Sequence, residues 1–406
     1  MIEKEKYDKI NYYLNLVSSK NYNLLMYNYL VYADYLKAFG SLFDHERNII
    51  DKALGGKKGN TNQKPINELS IFDTLDICSS ILESIDDMCG TSYKSEFTNL
   101  VNNGVFDFDF RDRTLLNPVV YNSSSSFQSF HIDREKNQLN IFNRYIDVVL
   151  THTYNDVCTI IHEFFHYTNA QKNDGFSRPV LTEAFSIYFE GYAIDYLIKN
   201  NICSAKDLNL FSRLLELRKI TVSSRMMMAI GGAFVTQGSI SDDTFNYLKV
   251  HKRGTVINEE DYIKYINNLY NTLCKYEEEG SRLENKNRYK TVENYIVNKF
   301  NVLFKRFNYG IGTLIAYFEM VYGNIYRMVS LNKELSGNRD IEYYMERLEF
   351  PLEEIKDVFE RDKIDENDNS EINLTEGISK IDDAVKTIIE RYKDYLLVDN
   401  EEKKKH

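Results

Sequence analysis

The chain has 406 residues, enough to bury a substantial core, and its 43% hydrophobic content is ordinary for a globular protein. A formal net charge of −11 speaks against nucleic acid as a partner. No apolar run is long enough to span a bilayer, which excludes a membrane-spanning helix. Only 4 Pro and 18 Gly, together with long stretches of 3.6-residue periodicity, predict a mainly α chain. The five Cys (78, 89, 158, 203 and 274) are scattered without a two-residue spacing, as expected in a reducing compartment. The opening Met-Ile-Glu-Lys-Glu-Lys is charged and no signal-like apolar region follows it, so the cytoplasm is the expected location.

Residues 5–54 read as helices rich in Tyr and Leu, followed by a polar loop from Gly55 to Pro65. A further helix is predicted over 67–89, ending at Gly90. These make an N-terminal helical region, 1–92, expected to form one wall of a cleft. Residues 105–150 carry the strand signals. Phe106-Asp107-Phe108-Asp109-Phe110 alternates apolar and polar, and Val119 to Tyr121, Phe127 to Ile132 and Val148 to Thr151 are further candidates. The expectation is a small antiparallel sheet, with the serine run Ser123 to Ser126 as a turn or loop. An edge strand there would suit an extended peptide backbone, and an ordinary hairpin fits the pattern equally.

The next segment carries the chemistry. Residues His162-Glu163-Phe164-Phe165-His166 put two histidines one helical turn apart on one face. At 100° per residue from His162, Glu163 lies at about 100° and His166 at about 40°, while Val157, Ile160, Ile161, Phe164 and Phe165 fall at about 160° to 300°. A chemical stripe and a core stripe are therefore separate. Asn155 and Asp156 suit the helix start. Two imidazoles so placed reach one zinc ion, and the glutamate between them can act on a metal-bound water. With 7 His in the chain, chance produces this pattern about 0.01 times.

A zinc peptidase site needs a third protein ligand. The following helix, starting near Pro179, has Leu181, Phe185, Tyr188, Phe189 and Tyr192 on its apolar side and Glu183 and Glu190 on the other. Asn173-Asp174-Gly175 is a turn signal that lets this helix fold back. Glu183 is thus the expected third ligand, and Glu190 is expected to orient a ligand imidazole or to anchor a neighbouring helix. A solvated acidic face is the alternative for both. A third His ligand is the weaker reading, since no His lies between His166 and His251. Later, Phe304 to Asn324 is amphipathic, with Tyr309, Gly312, Thr313, Ala316 and Gly323 on one side. Tyr309 is a candidate oxyanion donor or else a half-buried packing residue. Residues 361–375 read as a polar linker and 376–406 as a final helix and tail, leaving 93–360 as the catalytic region. His45, His131, His152 and His251 read as surface or turn histidines, and His406 lies in the tail.

These segments resemble the thimet oligopeptidase and oligoendopeptidase F family of zinc peptidases. Asp156 to His166 is similar to that family's zinc helix. Glu183-Ala184-Phe185-Ser186 through Glu190 is similar to its third-ligand helix. Phe307 to Gly312 and, more loosely, Tyr93 to Phe108 resemble two further stretches, so the likeness spans roughly residues 93 to 330. The resemblance implies a zincin-type catalytic region with a helical wall over the cleft. It also implies one zinc per chain on His162, His166 and Glu183, with Glu163 as general base and Tyr309 steadying the oxyanion. Three departures stand out. The helical part before the catalytic half is short, Phe165 replaces the family's usual Gly, and no His lies between His251 and His406 to serve as the late donor. His251 is the candidate for a displaced donor. The expected activity is hydrolysis of short unfolded peptides. A processing protease for a single precursor and a non-catalytic zinc or peptide-binding protein are the alternatives.

Overall fold

The computed structural model describes residues 2–17, 49–50, 52, 69–109, 125–133, 138–169, 179–208, 210, 230–231, 233–234, 237–246, 259–283, 291–335, 347–348, 350–351 and 376–402. The polar loop, the candidate strand at Val119, the turn at Asn173, the linker 361–375 and His45, His251 and His406 lie outside these residues. In chain order the main elements are α1 (residues 4–17), α2 (Ile71–Cys89), α3 (Tyr93–Asn102), β1 (Phe106–Asp109), β2 (Ser125–Asp133) and β3 (Gln138–Val149). Then come α4 (Tyr154–Asn169), α5 (Pro179–Lys199), α6 (Glu259–Leu283), α7 (Val292–Val321), α8 (Ile325–Leu335) and α9 (Glu376–Glu402). The chain is mainly helical, as its periodicity predicts. No helix among the described residues is long and apolar enough to cross a membrane.

Two compact units share these elements. The first comprises Met1–Lys52, Leu217–Gly310 and Pro351–Ser379; the second comprises Ala53–Glu216, Ile311–Phe350 and Lys380–His406. In the first unit α1 lies against α6. Lys9 Nζ bonds Glu277 Oε2 at 2.6 Å, Tyr13 Oη donates to Glu277 Oε1 at 2.7 Å, and Lys6 Nζ donates to Asn267 at 2.8 Å. Beneath these polar contacts Ile10, Leu14, Tyr262, Ile266 and Leu273 are buried.

The second unit is built around α4. Helix α2 begins at Ser70, whose hydroxyl accepts from Asp73 N, and stops at Gly90 in the left-handed region (φ 62°). Its N–H bonds Asp86 O, a conformation glycine adopts without a Cβ penalty. The helix thus ends where the sequence predicts. Cys78, Ile81, Leu82 and Ile85 form its buried stripe, and α2 packs on α3 and α4. Each large aliphatic side chain so buried contributes about 1.5–3 kcal/mol.

The sheet departs from expectation. Its order is β1–β3–β2, with β1 parallel to β3 (Phe106 opposite Ile146) and β2 antiparallel to β3 (Ser125 opposite Asp147). It is therefore mixed rather than antiparallel. Strands β2 and β3 are separated by only four residues, 134–137, which suffices for an antiparallel pair alone. The long stretch from β1 to β3 contains β2 itself and provides the crossover that a parallel pair needs. Ser125 and Ser126 belong to β2 rather than to a turn, their backbone paired with Asp147 and Ile146. Helix α4 packs on β2 and β3 and against α5, while α8 touches α2, α4 and α5.

Candidate metal centre

The passage from β3 into α4 is fixed by one carboxylate. Asp156, 2% exposed, accepts from the backbone N–H of Thr151 at 2.9 Å and of His152 at 2.7 Å, and from the Thr151 hydroxyl at 2.5 Å. Three donors from two consecutive residues bend the chain between the last strand residue and the first helical turn. His152 occupies the bend with φ 56°, and its side chain is exposed, as a turn histidine is expected to be. The Thr153 hydroxyl accepts from Asn155 N at 3.2 Å. The carboxylate also sits at the positive end of the helix dipole. Sequence periodicity assigned Asp156 only that dipole role; its hold on the preceding turn was not foreseen, although the Thr-x-Thr-x-x-Asp spacing is the local signal for it.

From that start α4 presents the two faces expected of it. Val157, Ile160, Ile161, Phe164 and Phe165 are fully buried. Phe165 stacks on Phe189 of α5 with ring centroids 3.6 Å apart and planes 9° from parallel. Tyr93 of α3 meets both Phe164 and Phe165 edge-on, and Phe97 meets Phe164 in the same way. The end of the helix is held from α8. Asn332, 1% exposed, donates to Thr168 Oγ1 at 3.1 Å, and Thr168 in turn donates to Phe165 O at 3.0 Å. This link too was missed, since a lone Asn in α8 carries no pattern. On the far face of α5, Gly191 lies against Met320, whose Cε is 2.5 Å from where a Cβ would stand.

The opposite face of α4 meets the acidic face of α5. Glu183 Oε2 lies 3.6 Å from His162 Nε2 and 3.4 Å from His166 Nε2. The three side chains are 12–14% exposed. One ligand atom from each falls within 4.8 Å of the other two, so the group could hold a metal ion. In a tetrahedral site with metal–ligand bonds of about 2.0–2.1 Å, ligand atoms stand about 3.3 Å apart. The two carboxylate–imidazole separations match that spacing and are long for hydrogen bonds. Glu183 Oε2 is buried and makes no hydrogen bond of ordinary geometry, its near neighbours being the two imidazole nitrogens. These observations fit a cation among the three donors.

His162 is gripped from its other side. Glu190 Oε2 lies 3.0 Å from His162 Nδ1, so that nitrogen carries the proton and Nε2 is turned toward Glu183. Burial works against a charge on His162, but Glu183 and Glu190 outweigh it and raise its pKa well above the ordinary imidazole value. Burial likewise opposes ionisation of Glu183, and the His166 and His162 imidazoles overcome it, holding the carboxyl down at about 2. Glu163, 7% exposed, stands on α4 between the two histidines in sequence. Tyr309 lies on α7 within the first unit, half-buried, whereas His162, Glu163, His166, Glu183 and Glu190 all belong to the second. No family model matches the chain, and no curated protein or solved structure matches it either.

Proposed function

We propose that the protein is a zinc-dependent metallopeptidase that hydrolyses short unfolded peptides. The observation that carries this reading is the convergence of His162, His166 and Glu183 on one point, with a buried carboxylate, Glu163, between the two histidines in sequence. Two imidazoles and one carboxylate are the donor set of a catalytic rather than a structural zinc, because three protein ligands leave a position open. Bound there, zinc supplies Lewis-acid polarisation of the scissile carbonyl and lowers the pKa of water toward about 7.

The chain's own groups do the rest. Glu163 takes the proton from the attacking water and passes it to the leaving amine. Glu190 keeps the His162 ring in one tautomer and orientation, so that Nε2 stays a lone-pair donor. Glu183 remains ionised across the working range because its pKa is held down. No serine or cysteine nucleophile is required. Among the described strands β2 is outermost and packs beside α4, which supports an extended peptide as substrate, because such a chain adds to a sheet edge through main-chain hydrogen bonds.

The test is mass spectrometry of a diverse oligopeptide mixture after incubation with the purified protein, with chelated protein and Glu163→Gln in parallel. Cleavage lost in both controls supports the reading, and the spread of cut sites separates a broad oligopeptidase from a processing enzyme. Stoichiometric zinc without any cleavage would leave a binding role in its place.

A further inference from the structure

Away from the metal centre, the first unit brings a lysine amine and a cysteine thiol together. Lys9 Nζ of α1 stands 3.5 Å from Cys274 Sγ of α6 and 2.6 Å from Glu277 Oε2 one turn further on. The two residues are 265 apart in sequence, so their contact is a tertiary one. Lys9 is 23% exposed and Cys274 half-buried, which leaves room for a small oxidant but little for a bulky one. The Tyr270 ring, 5.3 Å from Lys9 Nζ, confines the amine further.

We propose that Lys9 and Cys274 are a modification site, joined on oxidation by dioxygen through a single oxygen atom between Nζ and Sγ. A direct nitrogen–sulfur bond would have to draw the two atoms far inside van der Waals contact, whereas one interposed oxygen leaves most of the 3.5 Å separation in place. The step balances as lysine amine plus cysteine thiol plus dioxygen giving the N–O–S bridge and one water. Sulfur and nitrogen each lose two electrons. One oxygen atom enters the bridge, and the other leaves as water with the thiol proton and one amine proton. Glu277 accepts the additional proton of the ammonium form, since its carboxylate is already bonded to Nζ. The product ties α1 covalently to α6, and a thiol reductant reverses it, as for other sulfur–oxygen linkages at the lower end of cysteine oxidation.

The experiment uses the full chain, incubated in air in alkaline buffer, digested without reductant and read by mass spectrometry. An anaerobic sample and the variants Lys9→Arg and Cys274→Ser run alongside. Lys9→Arg keeps a cation beside Glu277, so the helix contact survives while the reacting amine is lost. The expected result is a linked peptide pair carrying residues 9 and 274, heavier than its two peptides by one oxygen and lighter by two hydrogens. Alkylation of Cys274 falls in proportion, dithiothreitol separates the pair, and neither variant nor the anaerobic sample forms it. The proposal is overturned if Cys274 alkylates equally in air and without it, if it oxidises to the same extent in Lys9→Arg, or if the link lacks oxygen. The outcome is independent of zinc and of peptidase activity.

Discussion

Replacing Glu190 with Gln removes the anion 3.0 Å from His162 Nδ1 and leaves a side chain of the same size. Two effects follow, of opposite sign. The ring exchanges a carboxylate for a neutral amide oxygen, which accepts from Nδ1 more weakly and raises the basicity of Nε2 less, and weakening such a partner lowers metal affinity by about 10- to 100-fold, or about 1.4–2.7 kcal/mol. Against that, Glu190 is one of the groups that raise the His162 pKa in the metal-free protein. A proton on His162 competes with the metal, and while it is bound the apparent affinity falls about tenfold for each unit drop in pH. Glu190→Gln lowers that pKa and relieves part of the competition. The variant's deficit is therefore smallest near neutral pH and reaches its full size in alkaline solution, where His162 is neutral in both proteins. The assay is zinc competition with a chromophoric chelator across the pH range. A deficit that shrank as pH rose, or an alkaline affinity within about twofold of the wild type, would refute this account of Glu190.

Glu163→Gln should keep its zinc and lose about 10²- to 10⁴-fold in turnover on any cleaved peptide, measured by kcat against metal content in one preparation. Phe165→Ala removes a ring stacked on Phe189 and in contact with Tyr93, and should cost about 3–5 kcal/mol in urea unfolding. A cost below about 1 kcal/mol would mean that this stack does not hold α4 to α5. Asp156→Ala leaves the N–H groups of Thr151 and His152 without their acceptor and should cost about 1–3 kcal/mol, again read by denaturant unfolding.

Legibility in the sequence follows the range of the interaction. Helix α4 and its two faces could be read directly, because 3.6-residue periodicity is local and the His-Glu-x-x-His spacing is rare. The meeting of Glu183 with both histidines was an expectation from chemistry: it required a third donor, and α5 offers its two glutamates on one face. Helix α2 could be bounded to within a few residues because Ser70 and Gly90 cap it through neighbours in sequence. The sheet was harder. Residues Gln138 to Asp147 of β3 mix Asn, Arg and apolar residues without a clean alternation, so most of the central strand went unassigned. Without it, β1 and β2 had no common partner and the parallel pair could not be inferred. The roles of Asp156 toward the preceding turn and of Asn332 toward Thr168 depend on where backbone and helix ends lie in space, which single residue types do not encode.

Whether His162, His166 and Glu183 hold one zinc is decided by the metal content of the purified chain together with the zinc absorption-edge spectrum of the same sample. The expected result is one zinc per chain with two imidazole nitrogens and one carboxylate as its protein ligands, and loss of that zinc in both His166→Ala and Glu183→Ala. A chain that purifies without zinc and takes up none on reconstitution would contradict it, as would a spectrum with sulfur in the coordination shell.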